Sequence, residues 1–88
     1  MKYLVHFHLK PDADRQEATN LIAPEQERMI QLRRDGLLEA VYVAKDMQQG
    51  WLIFNTDDAN VAEQALKAMP LDTFLTTETV PVNVPAME

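Results

Sequence analysis

At 88 residues the chain is expected to make one domain, residues 1–88, with no room for a second. A net charge of −6, with eight basic residues dispersed along the chain, argues against binding a phosphate backbone, so no nucleic-acid partner is expected. Cysteine is absent, which excludes disulfides and fits a cytoplasmic protein; no apolar run approaches bilayer length, so no membrane partner is expected either.

Lys2 to Leu9 alternates in the two-residue period of a strand, ended by Pro11-Asp12. Tyr3, Val5, Phe7 and Leu9 share one face, and Leu4, His6 and His8 the other. From about Asp14 to Asp35 the period becomes helical, with Ala18, Ile22, Glu25, Met29 and Leu32 in one stripe. Asp12 or Asp14 caps the start and Gly36 follows the end. Pro24 predicts a kink or break, because it cannot donate to the carbonyl of Asn20.

Leu37 to Lys45 and Gly50 to Thr56 read as a second and third strand, joined by a hairpin loop over residues 46–50. Simple alternation puts Leu38, Ala40 and Tyr42 on one face of the second strand, against Leu37, Val41 and Val43. In the third it sets Trp51 and Ile53 against Leu52 and Phe54. Asn60-Val61-Ala62-Glu63 has the form of a capping box opening a helix to about Met69, which buries Ala62, Ala65, Leu66 and Met69 and stops at Pro70. Thr76 to Val84 is the last strand, and Pro81 and Pro85 point to an edge or a partner-facing position.

The order β-α-β-β-α-β is that of an α+β, ferredoxin-like domain: a four-stranded antiparallel sheet with helices on one face. Strands apolar on both faces need cover on both. The expected cover is a second copy, giving a homodimer or higher homo-oligomer closed as a dimeric α/β barrel. So small a domain also gains stability from such a partner.

Glu25 falls inside the apolar helical stripe, where desolvation raises a carboxyl pKa and suits it to proton transfer. Equally, a break at Pro24 would leave Glu25 in a first helical turn, favoured there by the helix dipole. His6 and His8 point the same way from one strand and are candidates to polarise a carbonyl or relay protons. No third ligand stands at a recognisable spacing, so no metal is expected. Tyr42 and Trp51 are candidates for a flat, substrate-binding wall. With two glycines and no phosphate loop or dinucleotide fingerprint, no cofactor is expected.

Several stretches resemble one family. They are Leu9-Lys10-Pro11, Glu25-Gln26-Glu27-Arg28, Gln31 to Gly36, Gly50-Trp51-Leu52-Ile53-Phe54 and Met69-Pro70-Leu71. In this order the chain resembles the muconolactone isomerases, small dimeric α/β-barrel enzymes. That resemblance implies a cofactor-free isomerase that moves a proton along an unsaturated lactone and assembles as rings of dimers, with Glu25 as its acid/base residue. Two departures stand out: Tyr42-Val43 replaces the family's tryptophan–arginine pair, and the first strand carries His6 and His8. Other readings of the same residues are a cofactor-independent oxygenase on the same barrel, and a non-catalytic small-ligand-binding or assembly module in which Glu25 is structural.

Overall fold

The alternating opening segment forms strand β1 (Lys2–Leu9), and Asp14 ends the turn after it by capping helix α1 (Arg15–Asn20). Asp14 Oδ1 accepts from the amides of Gln16 at 3.0 Å and Glu17 at 3.1 Å, satisfying two donors that have no partner inside the helix. The structure is a computed structural model and describes residues 2–83.

The expected long helix is two. Helix α2 (Ile22–Arg34) starts after Leu21, so the break lies three residues ahead of Pro24. Pro24 then falls in the first turn of α2, where its missing N–H leaves no helical bond unmade. The helical stripe survives the break: Ala18, Glu25 and Leu32 are buried, and Ile22 and Met29 are half-buried. Gly36, at φ +80°, closes α2 in the left-handed conformation glycine adopts freely. The Gly36 amide donates to the Arg33 carbonyl at 3.0 Å and the Leu37 amide to that of Leu32 at 3.1 Å, the paired bonds of a Schellman stop.

Strands β2 (Leu38–Val43) and β3 (Gln49–Phe54) form the hairpin, and helix α3 (Ala59–Lys67) follows. Its cap is Asp58, which accepts from the Asn60 amide at 2.9 Å, so the expected capping box opening at Asn60 is displaced into the helix. A 3-10 turn (Asp72–Phe74) leads into β4 (Leu75–Val82). The sheet order is β2-β3-β1-β4, antiparallel throughout, as expected for a ferredoxin-like domain. Strand β4 is an edge, which accommodates Pro81; Val84 and Pro85 lie outside the described residues.

One strand departs from simple alternation. The pairing of β2 with β3 shifts register between Leu38 and Ala40, leaving Glu39 as the extra residue. The bulge flips the face. Leu38 is buried with Val41 packed beside it on the helix side, while Ala40 and Tyr42 turn outward with Ile53 and Trp51, so Leu38 does not share a face with Ala40 and Tyr42.

The core lies between the helices and one sheet face, and joins Tyr3, Val5, Leu32, Leu52, Phe54, Ala62 and Leu66. Val5 and Phe54 have no exposed surface, and burying a side chain of that size contributes about 1.5–3 kcal/mol. Gly50 is required where β3 pairs with β1 opposite Phe7, because a Cβ there would lie 2.3 Å from Phe7 Cζ and 2.5 Å from the Tyr42 carbonyl oxygen. The other sheet face carries Leu4, His6, Trp51 and Ile53, with Tyr42 62% and Val80 51% exposed. Among the described residues no helix is long and apolar enough to cross a membrane.

Candidate functional site

Between the helices and the sheet, a cavity of about 650 Å³ opens where β1 ends and β4 begins. Alternation along β1 aims Phe7 and Leu9 into it, and the hairpin contributes Val41, Val43 and Leu52. Ile22 and Met29 close the α2 side, and Leu66, Met69 and Leu71 the far side. A volume of this size holds a small ring compound, and the walls are mostly carbon.

Glu25 is the buried exception. It is 4% exposed in the cavity wall, and its Oε2 accepts from the Leu71 amide at 2.7 Å. It is both a first-turn residue and a member of the apolar stripe, because the break at Leu21 preserves the stripe. Burial among apolar neighbours pushes its carboxyl above the ordinary value; the Leu71 amide, which favours the anion, opposes this, and the negative charge of Asp72 adds to the rise. Such a group is a desolvated carboxyl held in one position by a backbone donor. Local spacing gives no sign that the residue leading into the 3-10 turn supplies that donor, since Leu71 lies 46 positions away. Asp72 and Arg15 also line the wall, and no local spacing marks either as a site residue.

His6 and His8 lie on the opposite face of the sheet. His6 stacks on Trp51 with ring centroids 5.0 Å apart and planes within 5°, and His8 sits 4.1 Å from His6 by the same measure. His6 Nε2 donates to Gln49 Oε1 at 2.9 Å. Tyr42 and Trp51 pair across β2 and β3 on that face, and neither lines the cavity. Within one chain the structure therefore does not bring Glu25 together with His6, His8, Tyr42 or Trp51. The sheet parts them, because adjacent residues of a strand point to opposite faces. Glu25 borders the hollow beneath the helices, not the outer face on which paired sheets would meet.

The fold has close counterparts. A crystal structure of muconolactone isomerase superposes with a TM-score of 0.79 at 22% identity, over 99% of this chain and 94% of that one. The 5-chloro-2-hydroxyhydroquinone dehydrochlorinase of Burkholderia phenoliruptrix AC1100, in complex with 2,5-dihydroxybenzoquinone, superposes at 0.77 with 14% identity, over 94% of each chain. Identities this low establish the shared fold alone. No curated protein matches the sequence. The family itself is fixed by a match to the muconolactone delta-isomerase family over residues 1–86, and with nearly every residue included, the chain belongs to that family.

Proposed function

We propose that the chain is a cofactor-free isomerase that shifts a proton on an unsaturated lactone or a related small carbonyl compound, with Glu25 as the acid/base group. The observation that carries this reading is a carboxylate 4% exposed in the wall of an apolar cavity of ring-compound size. As the anion, Glu25 takes the proton from a carbon activated by the carbonyl, and the electron pair moves into a conjugated enolate. The protonated carboxyl then returns the proton to the other end of that system, so one C–H bond breaks, another forms, and the double bond moves. Desolvation raises the pKa of Glu25 and so strengthens it as a base. The Leu71 amide fixes the carboxylate, so its reacting oxygen needs no search for position.

Family membership supports this chemistry, and so do the names of the two counterparts, which describe enzymes of small oxygenated cyclic compounds. His6 and His8 have no part in the step within a single chain. The outer sheet face is proposed instead as the contact between two copies, making a homodimer or larger assembly, since Tyr42, Trp51, Ile53 and Val80 form one apolar surface.

The test is turnover of muconolactone by wild type and Glu25→Gln, with circular dichroism as a control for folding. Glutamine keeps an oxygen for the Leu71 amide but carries no exchangeable carboxyl proton. The expected result is a loss in kcat on the order of 10²–10⁴ with the fold intact. A folded variant that works at the wild-type rate removes Glu25 from the mechanism.

A further inference from the structure

Two carboxyl groups line one apolar hollow, and the backbone ties their positions together. Glu25 Oε2 accepts from the Leu71 amide at 2.7 Å, and Asp72 is the next residue along. That stretch has little freedom. The Asp72 amide donates to the Met69 carbonyl at 3.0 Å, and the Phe74 amide to the Leu71 carbonyl at 2.9 Å. The Lys10 amide, just past β1, donates to the Phe74 carbonyl at 2.9 Å and pins the turn to the sheet. The turn that aims a donor at Glu25 thus also sets where Asp72 stands. Taken by element, the charged groups of the lining are Arg15 on α1, Glu25 on α2 and Asp72 in the turn; the described lining residues of α3 and the strands carry none. Arg15 is exposed, so water and salt screen it, whereas Asp72 is half-buried and acts on Glu25 across a mostly carbon hollow.

We propose that Asp72 is a positioning residue of the site: held by the same turn that supplies the Leu71 amide, its charge sets the pH range in which Glu25 gains and loses a proton. This rests on the cavity being the reaction site proposed above. Burial is the larger influence on Glu25 and the Leu71 amide opposes it, so the Asp72 charge is an added push toward the neutral carboxyl. That push favours the moment at which Glu25 has taken the proton and its charge has passed to the substrate. Asp72 therefore strengthens Glu25 as a base without touching the reacting carbon.

The Glu25 carboxyl can be titrated directly by 13C NMR in wild type, Asp72→Asn, Asp72→Ser and Asp72→Glu. Asparagine and serine suit a turn as aspartate does, and both remove the charge. The Glu25 midpoint is expected to move down in these two variants, and to stay nearer the wild-type position in Asp72→Glu. A merely structural role gives the opposite sign. Loosening the turn would withdraw the amide that favours the anion, and the midpoint would rise. A midpoint that rises or stays fixed in the neutral variants, or an Asp72→Glu protein that matches them, would overturn the assignment. In turnover of muconolactone, the acidic limb of kcat/KM should move to lower pH in the neutral variants, with a plateau severalfold below wild type. The expected NMR shifts in a wild-type protein that does not isomerise muconolactone would support the role of Asp72 while removing the proton-transfer reading; turnover with an unmoved midpoint would do the reverse.

Discussion

Glu25 links the site to the stability of the chain, and its sign can be worked out. Its folded-state carboxyl is raised above the ordinary 4.5, chiefly by burial, so the folded state holds the proton more tightly than the unfolded state. Below that value both states are protonated and the folded state has the full benefit. As pH rises through the window above it, the unfolded chain ionises first and stability falls. Glu25→Gln carries no such proton and should flatten this dependence, gaining on wild type as pH increases. Urea unfolding at about pH 4 and about pH 8 checks this, and identical pH dependence in the two proteins would contradict it. The same residue shows the reach of helical spacing: periodicity placed it in the buried stripe, but could not supply the amide that holds it.

Helix α1 shows how one element depends on one side chain. Six residues are too few to form a stable helix alone, so α1 relies on its cap and on Ala18 packed beneath it. It also brings Arg15, Ala18 and Thr19 to the cavity wall. Asp14→Ala is expected to cost about 1 kcal/mol in chemical denaturation, since one oxygen serves two amides. A loss within the measurement error would mean that packing alone holds α1. Strand β2 makes the complementary point. Its composition predicts a strand correctly, but strict alternation assigns Leu38 to the wrong partners because the bulge at Glu39 adds one residue. Nothing in the local composition marks that bulge, which exists to fit β2 to β3.

For the whole molecule, the sheet divides two sets of residues that the sequence makes look alike. On the helix side lie the core, the cavity and Glu25; on the other lie His6, His8, Trp51 and Tyr42. If the outer face meets a second copy, Tyr42→Glu should dissociate the assembly, because an unpaired carboxylate buried there costs several kcal/mol. Sedimentation velocity at micromolar concentration is the measurement. A dimer or larger species shifting toward monomer in the variant is expected, and wild type sedimenting as a monomer would rule out the contact.

Caps, strand alternation, helical periodicity and proline placement act over a few residues, so the order of elements, the antiparallel sheet with its β4 edge and the buried stripe of Glu25 were legible along the chain. Which hollow that stripe borders was not. The bulge at Glu39 and the bond from the Leu71 amide arise when segments far apart in sequence pack together. Backbone and side-chain groups then meet neighbours that no local spacing encodes, and this is why Glu25 faces a cavity beneath the helices while the histidines lie across the sheet.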